Sequence, residues 1–191
     1  MAHRAPARGP ADTAVVGRYS GRIDTAEGRT RRFRLLLFAE LPDRFHGEVL
    51  PPVGGPRLIV DGGGGRLAVT FVRDGESFVG SPSREVLEQV LGVPVDLEQL
   101  VRALLRGEGV GEDLRVDRTG PPEPGLPERL VLAGGNATLA LELKRLRPLA
   151  VDRAPLGTGQ PPAGTRVRPI EELSDAGGGL EAWEDGEATG S

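Results

Sequence analysis

Between residues 15 and 80 apolar side chains recur at alternate positions, in short runs cut by Gly, Pro and Asp-Gly. In "RLAVTFV" (66–72) Leu67, Val69 and Phe71 share one parity. In "RRFRLLLFAE" (31–40) Phe33, Leu35, Leu37 and Ala39 fall on one side, while Arg32, Arg34 and Glu40 share the other with Leu36 and Phe38. Period two puts alternate residues on opposite faces of a strand, so these runs predict a sheet with one buried face. "VVGRYSGRI" (15–23), "RFHGEVL" (44–50), "RLIVDG" (57–62) and "ESFVG" (76–80) extend the series. Arg73-Asp74-Gly75 joins two of them, and Asp-Gly is a strong hairpin signal. The run reads as a meander of short antiparallel strands.

The period then changes. Ser81-Pro82 reads as a helix start, with Ser at the N-cap and Pro at the first helical position. Val86, Leu87, Val90 and Leu91 make one stripe, ended by Gly92 and Pro94. Asp96 with Gln99 forms a capping box, and Leu97, Leu100, Val101, Leu104 and Leu105 make a second stripe that stops at Gly107. Strand character returns at 113–118, 128–134 and 137–147, with a hairpin turn at Gly134-Gly135-Asn136. The expected fold is mainly β (α+β): an antiparallel sheet with two short helices over its apolar face.

Charge divides the chain. Residues 151–191 hold eight acids against three Arg; of the chain's 28 acids and 24 bases this leaves 20 and 21 for residues 1–150. The tail is acidic and rich in Pro and Gly, and is expected to be disordered or loosely docked and dispensable for folding, apart from a helical turn near Ile170–Leu173. Residues 1–14 read as a flexible tether, and 15–150 as the folded domain. No basic patch for DNA or RNA emerges from these sums. Aromatic residues at 4% leave few platforms for stacked bases. The longest apolar run, Leu35 to Ala39, is far too short for a membrane-spanning helix.

Chemistry-bearing patterns are sparse. There is no Cys, and of two histidines His3 lies in the tether and His46 in a strand. A lone strand histidine is most often a surface or satisfied residue. Asp61-Gly62-Gly63-Gly64-Gly65 lacks the Lys-Ser/Thr and the helix of a phosphate loop, and reads as a floppy hairpin connection. Ser77, Ser81 and Ser83 have no base at a recognisable spacing. No catalytic residue, metal site or cofactor is assigned, and the chain is read as a non-enzyme. One stretch is odd: in "EVLPPVGGPRLIV" (48–60) the turn tip carries the β-branched, apolar Val53, where Asn, Asp or Ser would suit water better.

The stretches "RFHGEVLPPVGGPRLIV", "RLAVTFVRDGESFVG" and "VLGVPVDLEQLVRALLRG", with the closing "LPERLVLAGGNATLALELKRLRP", resemble the LolA/LolB-like lipoprotein carriers and receptors, LolB in particular. The resemblance spans roughly 15–148. It rests on Pro52-Val53-Gly54, Gly92-Val93-Pro94-Val95, the Leu-rich helix and Gly107, in that order. It implies an incomplete antiparallel β-barrel, a half barrel whose helices close its open side over an apolar cavity. Acyl chains of lipoproteins, or another lipid, would lie in that cavity. Phe33, Leu35, Leu37, Leu67, Val69, Phe71, Leu139 and Leu141 would line the concave face, with Leu100, Val101, Leu104 and Leu105 above. Pro52, Val53 and Gly54 would form a membrane-contacting turn. The resemblance further implies a monomer on the periplasmic face of the bacterial outer membrane. Its partners would be a soluble lipoprotein carrier and the inner leaflet.

The chain departs from that pattern. Nothing before Val15 matches the family's N-terminal amphipathic helix, the turn carries Val in place of Leu, and no lipid-bearing Cys is present. One expectation is that Met1 stands where such a Cys begins a longer native chain, leaving a soluble form; an ordinary cytosolic N-terminus is the other. Composition likewise leaves two interiors open. The helices either leave a groove for a lipid or fill the concave face, in which case the protein is a structural or scaffolding envelope protein that binds a protein partner. A cavity of several hundred cubic ångströms is expected of the first, and a packed interior of the second.

Overall fold

A computed structural model of the chain describes residues 15–51, 53–109, 114–120, 125–148 and 156–175. The predicted tether therefore lies outside the described residues. The alternating runs form β1 (Val15–Thr25), β2 (Thr30–Glu40), β3 (Arg44–Leu50), β4 (Leu58–Gly63), β5 (Arg66–Phe71) and β6 (Glu76–Gly80). Next come α1 (Arg84–Leu91), α2 (Leu97–Arg106), β7 (Leu114–Thr119), β8 (Arg129–Gly134) and β9 (Ala137–Pro148). Last are β10 (Arg166–Pro169) and a 3-10 helix, Ile170–Glu172. The ten strands make one sheet in the order β10-β6-β5-β4-β3-β2-β1-β9-β8-β7. All neighbours are antiparallel except β10, which runs parallel to β6. β10 and β7 end the sheet without pairing to each other, so the barrel stays half open.

The register explains the burial. Leu37, Gly47, Val60, Val69 and Phe78 stand opposite one another in a row across β2 to β6. Gly21 stands opposite both Phe33 and Leu141. A Cβ on Gly21 would lie 2.2 Å from the Phe33 ring, so this ring can lie flat on the sheet only over a glycine. Both helices lay their stripes on this face, and Leu87, Val90, Leu97, Leu100, Val101 and Leu104 are buried in the same core.

The caps match the sequence at α2, where Asp96 and Gln99 form the expected box, and differ at α1. There Ser83, not Ser81, is the N-cap, its side chain accepting from the Val86 N–H, and Pro82 lies outside the helix. The glycine run at 61–65 is also more ordered than expected. Asp61, Gly62 and Gly63 belong to β4, and only Gly64 and Gly65, with φ of 59° and 73°, make a two-residue hairpin turn.

The largest correction concerns the tail. Within the segment expected to be disordered, residues 156–175 form a strap around the body; its remaining residues lie outside the described ones. The strap starts on the outer face over β3 and β4, where Arg44 donates to the Leu156 and Gly157 carbonyls at 2.5 and 3.3 Å. It pairs with β6 as β10, then turns inward, burying Ile170 and Leu173 in the core. Two apolar side chains and a strand edge outweigh the polar composition of the segment.

Candidate functional site

The concave face closes on α2 around an apolar void of about 30 Å³. Seven of the twelve residues expected to line a cavity do line it: Phe33, Leu35, Leu37, Leu100, Leu104, Leu139 and Leu141. Leu67, Val69, Val101 and Leu105 are buried in the same core away from the void, and Phe71 is half-buried. The Phe71 ring instead meets Phe78 edge-on at 5.8 Å. Sequence parity missed Phe45, Val49, Leu58, Val60, Leu130 and Leu132, which share the lining. Their signal was present in the same alternation, in strands whose inward parity only the register settles. The lining carries no titratable side chain. The apolar lining offers a water no hydrogen-bond partner, and such a void stays dry. Its volume lies well below the several hundred cubic ångströms expected of a ready-made acyl-chain cavity.

The turn between β3 and β4 projects from the rim. Val53 is 86% exposed there, Gly54 takes φ of 105°, and Pro52 lies outside the described residues. Arg34 holds the turn from β2, donating through Nε and Nη2 to the Pro51 carbonyl at 3.1 and 2.6 Å.

On the outer face, register brings His46 opposite Asp61. His46 is buried, with Nδ1 2.7 Å from Asp61 Oδ2 and Nε2 3.1 Å from Glu48 Oε1. Burial opposes the charged imidazolium, but hydrogen bonds and attraction from Asp61 and Glu48 prevail, and its pKa is pushed up to about 9. For Asp61 too burial is outweighed: the hydrogen bond to His46 and backbone N–H groups hold its carboxyl below the usual range. Asp61 accepts from the Gly157, Thr158 and Gly159 N–H groups at 2.9, 2.7 and 2.8 Å. Gly157 and Gly159 stand at φ of 68° and 67°, which points the three N–H groups at one carboxylate. With a carboxylate on each nitrogen, His46 has no free ring nitrogen for a substrate. It fastens the strap.

Strand parity also assembles what charge totals hid. Arg18, Arg34, Lys144 and Arg147 line one groove on the outer face of β1, β2 and β9. The charge totals gave no sign of this gathering of cations. Arg34 and the Lys144–Arg147 stretch lie in cationic runs more than a hundred residues apart, and strand pairing with β1 sets them beside Arg18.

No family model matches the chain, and no curated protein matches it. Among solved structures it is similar to a LolA superfamily protein from Nitrosomonas europaea, with 11% identity and a TM-score of 0.46 over 75% of this chain and 89% of that one. A likeness this loose carries no function across, and the half-barrel assignment rests on the strand order itself.

Proposed function

We propose that the protein is a non-catalytic carrier of an acyl chain or a similar long apolar group, held between the concave sheet and α2. The observation that carries this reading is the seam itself: a lining mostly of Leu, without a titratable side chain, around a void at its centre. Leu side chains repack at modest cost when volume and polarity are kept. In the form described here the site is closed, so loading requires α2 to shift from the sheet. On this reading the cargo is a lipoprotein of the bacterial envelope, received from a soluble carrier and delivered by a monomer to the inner leaflet of the outer membrane. Val53 is the side chain that meets lipid during delivery.

A fluorescent fatty-acid analogue tests the interior. Its intensity should rise with the full-length chain and not with Leu37→Glu or Leu104→Glu, because a buried unpaired charge is costly. Absence of any gain with well-folded wild type would overturn the carrier reading. The size of the void, about 30 Å³, favours a second reading: a filled half barrel acting as an envelope scaffold that binds a protein partner. That reading expects neither a fluorescence gain nor a rise in thermal midpoint with fatty acid.

A further inference from the structure

The outer groove of β1, β2 and β9 has a volume of about 760 Å³, and its cations are Arg18, Arg34, Lys144 and Arg147. All four side chains are exposed. The acid in its lining is Glu48, which is engaged with His46. Lys144 is paired with Glu142 at 2.9 Å, and Arg34 is held by the Pro51 carbonyl, while Arg18 and Arg147 make no ion pair among the described residues. The register adds one like-charge contact at this groove: Arg18 stands directly opposite Arg145. Like charges opposite one another across strands destabilise a sheet unless a counter-charge relieves them. The chain as a whole has a net charge of −4, so this cationic face is a local concentration against the overall sign.

The groove is not purely polar. Leu36 and Leu50 line it between the cations, and Gly54 of the projecting turn forms part of its rim. Exposed Val53 therefore stands beside the basic groove, and Arg34 links the two by lining the groove and holding the turn. An apolar tip next to a cluster of Arg and Lys suits a bilayer interface, where the tip enters the acyl boundary and the cations meet phosphate. A nucleic acid would use the cations and leave Val53 in water.

We propose that this outer face docks the protein on a membrane carrying anionic phospholipid headgroups, with the groove receiving headgroup phosphates and Val53 entering the interface. The inference rests on the proposed delivery reading for the role of Val53 and adds the phosphate-receiving groove; it needs no ligand in the interior, so vesicle binding and fatty-acid loading can fail separately.

The test is co-sedimentation of the full-length chain, without cargo, with vesicles of phosphatidylcholine alone or mixed with phosphatidylglycerol. Binding is expected to the mixed vesicles only, and it should weaken as salt rises. Arg18→Gln with Arg147→Gln should weaken it about 25-fold, from roughly fivefold for each cation removed near an anionic surface. The matching Lys pair should bind like wild type. Both positions are exposed, so neither variant should unfold at a lower temperature than wild type; Arg147→Gln alone, near the strand end, is the fallback and should lose about fivefold. Equal binding by the Gln pair, equal binding to phosphatidylcholine, or tighter binding to a duplex oligonucleotide than to mixed vesicles would each overturn the proposal.

Discussion

His46 works as a charged fastener, and this gives the protein a defined pH response. Its folded-state pKa of about 9 lies above the ordinary 6.5, so its contribution is complete below about pH 6.5 and is lost as pH rises through about 9. Asp61 shifts the other way, so its contribution is present above the ordinary carboxylate range and is lost as pH falls through its lowered folded value. The His46–Asp61 contact enters both shifts and counts once; Glu48 adds to the His46 shift and the Gly157 and Thr158 N–H groups add to that of Asp61. At about 1.36 kcal/mol per pH unit the His46 shift corresponds to about 3 kcal/mol. The thermal midpoint should therefore be flat from weakly acidic pH to about 6.5 and fall towards 9. In His46→Gln that alkaline fall should vanish; an unchanged slope would show that His46 does not titrate there. The sequence offered His46 as a surface or satisfied residue, and the second reading holds, but its partners were not legible. Asp61 lies fifteen residues away and Gly157 over a hundred, and only sheet register joins them. Val53 was legible, because a β-branched residue between Pro and Gly has little local reason to be there. With Val53 exposed, Val53→Glu should change stability by no more than about 0.5 kcal/mol. Its effect should appear in transfer of a lipoprotein cargo to liposomes, where Val53→Leu should match or exceed wild type; equal transfer by both variants would remove the turn from delivery.

Among the elements, the strap departs most from what its sequence suggests. Local reading sees Pro, Gly and acids and predicts disorder. The structure uses the same residues differently: the glycines at 157 and 159 form the N–H cup around Asp61, and Arg166 N–H reaches the Gly75 carbonyl at 2.7 Å to start β10. Arg168 then lies 5.2 Å from the Phe78 ring and bonds Glu172 at 2.7 Å. A Cβ on Gly80 would come within 2.2 Å of the Ile170 side chain, so the glycine admits the strap where it turns into the core. Ending the chain at Pro148 should thus destabilise it by about 3–6 kcal/mol, from two fully buried aliphatic side chains at about 1.5–3 each. Leu173→Ala alone should cost about 2–5 kcal/mol. Denaturant midpoints check both, and a truncated chain as stable as the full one would restore the disordered-tail expectation. The helices and the meander, in contrast, were legible because their signals are local: capping residues, glycine stops and Asp-Gly turns act within a few positions. The α1 start slipped by two residues because Ser81 and Ser83 both precede an apolar stripe, and the choice between them depends on where the chain leaves β6.

At the scale of the whole molecule, the half barrel as a closed container and the half barrel as a solid make opposite demands on α2. α2 is held at its C-terminal end from β7: Arg118 donates to the Leu104 carbonyl at 3.0 Å and to the Gly125 carbonyl at 2.6 Å. Gly107 ends the helix at φ of 68°, and the Arg118 stem packs against it. If loading requires α2 to leave the sheet, the unliganded protein sits almost wholly in the closed state, and the apparent affinity for a fatty acid is reduced by the fraction that is open. Arg118→Met keeps the apolar stem and removes the donors, leaving the Leu104 carbonyl of α2 and the Gly125 carbonyl short of a partner at a cost of about 1–3 kcal/mol. That cost falls on the closed state, so the variant should unfold at lower temperature and bind the fatty-acid analogue more tightly. Where the closed state loses about 1 kcal/mol relative to the open one, the gain is about fivefold. A solid scaffold predicts the loss of stability without the gain in binding. The two measurements on one variant, thermal midpoint and fatty-acid titration, therefore separate a container from a core: opposite signs identify a cavity closed by α2, and a lower midpoint with no uptake identifies a filled half barrel.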